Sequence, residues 1–385
     1  MKTITLSDVS VNGRGYYGIG ASAVPFSDDL YTYLRITDIN DDGTLNMADL
    51  KSVDDEKACE YLLQPNDIVF ARTGASTGRN YFYDGSDGKF VYAGFLIKFS
   101  IDPSKINPKY VKYFCLSQQY KDWIHSFNTG STRGNINAQT LGKMPIPELE
   151  REKQDALVEI LSSIDAKIKQ NNAINENLEQ QAKAIYQQMF IENTSPNWAE
   201  GSLRDIADIT MGQSPSGSSY NEDGIGTIFF QGRAEFSFRF PTIRLYTTEP
   251  KRMAYANDIL MSVRAPVGDL NIAHTDCCIG RGLAAIHSKT NHQSFVLYTM
   301  FSLRKQLDVF NGEGTVFGSI NRNSLNDMPI LIPSDETIEE FEKIVAPMDA
   351  AIRNNYDEIC RLQAVRDSLL PRLMSGELDV SSLDI

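Results

Sequence analysis

Four histidines (His125, His274, His287, His292) and five cysteines (Cys59, Cys115, Cys277, Cys278, Cys360) are the residues of this 385-residue chain best suited to metal ligation or nucleophilic chemistry. The histidines show no ligand spacing, and Cys277-Cys278 near His274 reads as a buried strand end. Gly18-Ile19-Gly20 lacks the strand-turn-helix frame and third glycine of a dinucleotide fingerprint. Gly74-Ala75-Ser76-Thr77-Gly78-Arg79 lacks the Lys-Ser/Thr ending of a P-loop. Asn107-Pro108-Lys109-Tyr110 has no cofactor motif beside it and reads as a turn opening a helix at Tyr110. The expectation is a catalytically empty chain with no metal and no cofactor of its own.

What the chain does carry are polar, glycine-punctuated loops at matched places in two halves. In the first half these supply Arg72, Thr73, Ser76, Thr77 and Arg79, then Ser131, Thr132, Arg133 and Asn135. In the second they supply Gln213 and Ser214, Gln231 and Arg233, Arg264, and Thr315, Phe317 and Ser319. Glycine lets a backbone approach a phosphate, and hydroxyls and N–H groups donate to its oxygens. Arg and Gln can read guanine and adenine edges through paired hydrogen bonds in the major groove. Arg72, Arg79 and Arg133, and Gln231, Arg233 and Arg264, are therefore candidates for base or phosphate contacts. Ser131, Thr132, Gln213, Ser214, Thr315 and Ser319 suit phosphate contacts, which position a protein without specifying sequence.

The elements that position these loops announce themselves through a repeat. Gly130-Ser131-Thr132-Arg133-Gly134-Asn135-Ile136-Asn137, followed by Leu141 and Met144-Pro145-Ile146, returns 184 residues later as Gly314-Thr315-Val316-Phe317-Gly318-Ser319-Ile320-Asn321, with Leu325 and Met328-Pro329-Ile330. The same register continues through Asp165/Asp349, Ile168/Ile352, Asn171/Asn355 and Leu178/Leu362. A chain repeated once at half its length is expected to be two-fold in structure and function.

Beyond the repeat lie two long helices. Leu157, Leu161, Ile164, Ile168, Asn171, Asn175, Leu178, Ala182, Ile185 and Met189 follow alternating steps of four and three. Phe341 to Leu373 repeats the pattern. Steps averaging about 3.5 residues over four heptads are a coiled-coil seam, and a rod of this length spans roughly 50 Å. Asn171 and Asn355 are expected to fix its register, since only a matched partner satisfies a buried amide. Pro347 should kink or interrupt the second helix, and Pro371 should end or bend it. Outside the helices, strand signals at Asp67–Phe70, Phe90–Tyr92, Thr227–Phe230 and Asp258–Met261 alternate with turns and with helical pieces at Tyr110–Ser126 and Ser294–Asn311. The fold class is α+β: two mixed lobes separated and joined by two long antiparallel coiled-coil helices, pseudo-two-fold. The boundaries are lobe one at 1–149, helix one at 150–193, lobe two at 194–333, and helix two with its tail at 334–385.

A formal charge of −13 argues against nucleic acid at first sight, but its distribution does not. Residues 334–385 hold 12 acidic and 5 basic side chains, and 8 of the 18 acids in residues 1–150 fall between Asp38 and Glu60. A basic face on each lobe remains open. No apolar run is long enough to span a membrane, and unpaired cysteines suit a reducing, cytoplasmic setting.

These marks resemble those of the specificity subunit of a Type I restriction-modification system. The resemblance rests on the two Met-Pro-Ile ends leading into helices, Asp165-Ala166-Lys167-Ile168 with Asp349-Ala350-Ala351-Ile352, Leu369-Leu370-Pro371-Arg372-Leu373-Met374-Ser375-Gly376-Glu377-Leu378, and Ala207-Asp208-Ile209-Thr210 leading into Met211-Gly212-Gln213-Ser214-Pro215. The first lobe departs from the last pattern, with Asn12-Gly13-Arg14-Gly15 in its place. The resemblance implies a non-catalytic subunit whose lobes each read one half of a bipartite sequence in double-stranded DNA. The coiled coil would set the spacer and dock two methyltransferase (M) subunits, with restriction (R) subunits attached through them. S-adenosylmethionine, ATP and Mg would be bound by those partners. The alternative is a specificity module of another defence methyltransferase complex, Type IIB-like.

Overall fold

The computed structural model describes residues 2–127, 135–312 and 318–378. Two compact units emerge, Met1–Gln170 with Glu358–Ile385, and Asn171–Asp357. Each holds one lobe and a part of both long helices.

In the first unit, a four-stranded sheet runs in the order Tyr16–Tyr17, Leu96–Ser100, Asp67–Ala71, Asn80–Tyr83. A second has the order Ala23–Pro25, Lys51–Val53, Tyr31–Leu34, Phe90–Tyr92, its last pair parallel. The second unit repeats both. One sheet runs Ala207–Met211, Leu283–Ser288, Ile259–Ser262, Leu270–Ile272. The other runs Tyr220–Asn221, Leu245–Thr247, Thr227–Phe230, Cys277–Ile279, Met253–Ala254, with Thr227–Phe230 and Cys277–Ile279 parallel. A two-strand ribbon completes each unit, Thr3–Thr5 with Pro145–Pro147 and Ala199–Ser202 with Pro329–Ile332.

The repeated residues are the scaffold of this plan. Ile136, Leu141 and Met144 are buried, as are Ile320, Leu325 and Met328. Asn137 and Asn321 each cap a short helix, accepting from Thr140 N at 2.9 Å and Ser324 N at 3.0 Å. The echo Asn66-Asp67 and Asn257-Asp258 is a turn: both asparagines take the left-handed conformation, φ 73° and 77°, where their short side chains are tolerated. The helical pieces are each broken in two, Pro108–Phe114 and Gln118–His125, then Gln293–Ser302 and Arg304–Asp308, because Ser117 and Leu303 cap second helices.

The long helices run Arg151–Tyr186, continued by a π-helical turn Gln187–Glu192, and Asp335–Met374. All seam positions are buried or half-buried. The second helix passes through Pro347 and Pro371 without interruption, contrary to expectation. Both prolines lie on the exposed face, and the buried stripe Phe341, Val345, Ile352, Ile359 and Leu373 keeps the helix continuous past the lost hydrogen bond at Pro347. In each unit the two helices are antiparallel. Leu157 and Leu161 pack with Leu370 and Leu373 in the first, and Ala182 and Tyr186 with Phe341 and Val345 in the second. Asn355 donates to Asn175 at 2.8 Å, so the register-setting partner is Asn175 rather than Asn171, which is itself buried one turn earlier.

The matched aspartates Asp165 and Asp349 tie each lobe to its helix. Asp165 accepts from Tyr113 Oη and Lys112 Nζ, both at 2.9 Å, and from Arg366 at 3.3 Å. Asp349 accepts from Tyr298 Oη at 3.0 Å and is ion-paired with the buried Arg239, which also reaches Glu179 at 3.2 Å.

Candidate nucleic-acid interface

In each unit the candidate loops converge on one tight turn, held by backbone hydrogen bonds that recur partner for partner. In the first, Gly18 N donates to Leu96 O (3.2 Å), Ile19 N to Tyr92 O (3.1 Å), Ala93 N to Leu34 O (3.0 Å), and Leu96 N to Ala93 O (2.8 Å). Arg72 N donates to Phe95 O (3.0 Å), and Ile136 N to Arg72 O (2.9 Å). In the second, Gly212 N donates to Leu283 O (2.9 Å), Gln213 N to Ile279 O (3.0 Å), Gly280 N to Phe230 O (2.8 Å), and Leu283 N to Gly280 O (2.9 Å). Val263 N then donates to Gly282 O (2.9 Å), and Ile320 N to Val263 O (3.0 Å). The hub is therefore Ala93-Gly94-Phe95-Leu96 in one unit and Gly280-Arg281-Gly282-Leu283 in the other.

Close approach fixes the glycine beside each hub. A Cβ on Gly18 would lie 2.2 Å from Tyr92 O, and one on Gly212 would lie 2.2 Å from Gly280 O. These bonds correct the sequence register: the counterpart of Gly212-Gln213-Ser214 is Gly18-Ile19-Gly20, not Asn12-Gly13-Arg14-Gly15. The reason is geometric. The edge strand of the first unit begins only at Tyr16, so the chain meets the hub after it.

Around each hub, the two loops singled out from the repeat meet through a β-bridge, Thr73 with Asn135 and Arg264 with Ser319. Arg264, Asn135 and Ser319 are exposed. The guanidinium of Arg72 lies 4.9 Å from the Tyr17 ring centroid, and its buried Nε has no hydrogen-bond partner among the described residues. Thr73 opens the turn Gly74–Ser76 that contains Ser76, and Thr77 Oγ1 donates to Gly74 O at 2.8 Å. Gln213 and Gln231 are exposed, and Ser214 Oγ accepts from Arg281 N at 3.2 Å.

Two candidates are held by carboxylates. Arg79 makes a two-point contact with Asp41, at 2.7 and 3.1 Å, and reaches Ile39 O at 3.2 Å. Arg233 pairs with Asp269 at 2.9 Å, and Arg304 shares that carboxylate at 2.7 Å. Strand register makes Asp269 the counterpart of Arg79, each lying just before the strand that pairs with the central one. Ser131, Thr132, Arg133, Thr315 and Phe317 lie outside the described residues.

The hub turn was missed by sequence reasoning. The six bonds that recur in both units are main-chain, and only Gly280-Arg281-Gly282, a cation between two glycines, offered a signal. Cys277 and Cys278 are buried in the strand that leads into the second hub, where burial pushes the Cys277 thiol up to about 12, and His287 and His274 contact Asp258 and Asp357, each at 2.7 Å.

Two mixed lobes with a recurring loop hub, each resting on a shared helix pair, define a specificity module built twice. The family model described as Type I restriction modification DNA specificity domain matches residues 28–180 and again 196–360, and the chain belongs to that family. It carries two recognition domains and acts as the non-catalytic DNA-specificity component of a restriction-modification system. The chain is 29% identical over 378 residues to a putative type I restriction enzyme MjaX specificity subunit of Methanocaldococcus jannaschii, covering 91% of this chain and 88% of that one. It is 20% identical over 442 residues to the HindI specificity subunit of Haemophilus influenzae, covering 91% and 96%. The fold is similar to that of a Type I restriction-modification S subunit from M. genitalium, with a TM-score of 0.59, 16% identity, and 97% and 95% coverage. No helix among the described residues is long and apolar enough to cross a membrane.

Proposed function

We propose that each unit reads one half of a bipartite sequence in double-stranded DNA, and that the antiparallel helices set the spacer and dock two M subunits. R subunits then join through the M subunits. S-adenosylmethionine, ATP and Mg belong to those partners, which also flip and methylate the target adenine. The complex works in the cytoplasm. The observation that carries this reading is the hub itself, the same main-chain frame built twice and dressed with different side chains. A shared frame with divergent loops is what two related readers of different half-sites require. The Arg, Gln, Ser and Thr candidates on these loops supply base and phosphate contacts in this reading, with Arg264, Gln213 and Gln231 exposed for that purpose.

Co-expression of the chain with its M subunit, followed by genome-wide mapping of methyladenine, tests the proposal. One split motif with a fixed gap is the expected result. A contiguous motif, or no methylation, would sink it.

A further inference from the structure

The hub turn differs between the units in one respect, the side chains it displays. In the second unit Arg281 is exposed, and no side-chain hydrogen bond or ion pair engages it among the described residues. The turn under it is closely packed. A Cβ on Gly280 or Gly282 would lie 2.8 or 2.9 Å from Gln231 O, so the backbone is pressed against the neighbouring loop on both sides of Arg281. Its own N–H is held by Ser214 Oγ at 3.2 Å. Gln213 and Gln231, both exposed, flank it.

In the first unit the same turn displays Phe95, 60% exposed, and the adjoining Tyr17 is 42% exposed with Arg72 stacked on its ring. Single exposed apolar residues are ordinary, but here one aromatic stands on the turn and a second ends the strand Tyr16–Tyr17 that is hydrogen-bonded beside it. Tyr17 is itself anchored, its Oη accepting from Ala138 N at 3.1 Å. The buried Arg72 Nε, without a hydrogen-bond partner among the described residues, lies in this same cluster.

We infer that the hub turn carries a specificity-determining side chain in each unit: Arg281 reads a base edge in one half-site, and Phe95 packs on a base in the other. A guanidinium on a fixed backbone can form paired hydrogen bonds to guanine O6 and N7. An exposed phenyl ring offers no hydrogen bond and discriminates by contact with a thymine methyl or by wedging at a deformable step. The inference rests on the proposed half-site reading and extends it to the residues that make the halves differ.

The test uses the full chain co-expressed with its M subunit, with methyladenine mapped for wild type, Arg281→Ala, Arg281→Lys, Phe95→Ala and Phe95→Leu. Arg281→Ala should relax one position of one half-site by roughly 5- to 150-fold, the span of a good paired contact, and leave the other half unchanged. Arg281→Lys should restore it only in part, because an ammonium lacks the planar fork that matches guanine O6 and N7. Phe95→Ala should relax the other half-site only. An unchanged motif with evenly reduced methylation in Arg281→Ala would make Arg281 a phosphate contact and overturn its assignment. A complete motif in Phe95→Ala overturns that of Phe95. Failure of both alanine and conservative variants to copurify with the M subunit would make the turn structural and also overturn the inference. Absence of any split motif in wild type overturns the half-site reading instead.

Discussion

Asp165 shows how much one repeated residue decides. Burial alone would raise its carboxyl, but the Lys112 ammonium beside it, the hydrogen bonds from Lys112 and Tyr113, and Arg366 carry it below the ordinary range. A group whose native pKa is lowered contributes stability that is present above its unfolded value, roughly 3.9, and is lost as pH falls through the native one. Asp165→Asn should therefore cost about 1.5–3 kcal/mol at pH 7, the range for hydrogen bonds to charged groups. The gap between variant and wild type should close on acidification below about pH 4. Urea unfolding at both pH values measures this; a gap that persisted in acid would assign the loss to packing. In the second unit the same carboxylate position is served by Tyr298 and Arg239, so the lobe-to-helix tie is kept while its cation comes from a different element.

At the scale of elements, the Asn175–Asn355 contact sets the helix register inside the second unit. Single replacement by Leu leaves one amide facing an apolar neighbour, whereas replacing both removes the need. A double-mutant cycle should give a coupling of at least about 0.5 kcal/mol, with the double variant more stable than either single one. Coupling near zero would show that the pair does not act together. Pro347→Ala should stabilise the second helix by up to about 3 kcal/mol, read as a higher denaturation midpoint, because it restores one backbone hydrogen bond in a helix already continuous. These helices were legible in the sequence because a 3.5-residue period survives any change of surface residue. The strands Asp67–Ala71, Phe90–Tyr92 and Thr227–Phe230 were legible for a similar reason, being β-favouring runs bounded by turns. The hub was not legible. Its six main-chain bonds constrain backbone positions and leave side chains free, so Ala93-Gly94-Phe95 and Gly280-Arg281-Gly282 share almost no letters. The misplaced counterpart of Gly212 has the same origin, since a glycine pressed on a carbonyl is indistinguishable in sequence from a glycine in an open turn.

For the whole molecule, charge is the deciding quantity. At −13, the isolated chain should bind duplex DNA weakly, and its partners should supply part of the positive clamp. Fluorescence anisotropy between 50 and 200 mM salt should give a shallower log–log slope for the chain alone than for the chain with its M subunits. Equal slopes would place the phosphate contacts on this chain. A different consequence follows from the two ion pairs beside the hubs, Arg79 with Asp41 and Asp269 with Arg233. They join corresponding loops with opposite polarity. A chimera that moved only the Arg79 loop into the second lobe would set Arg79 against Arg233, and the reverse transfer would set Asp269 against Asp41. A chimera that moved a whole lobe would carry both partners with it. Transfer of an entire lobe therefore keeps both partners matched, whereas transfer of a single loop sets like charges together at a largely exposed pair, a cost of about 1 kcal/mol or less.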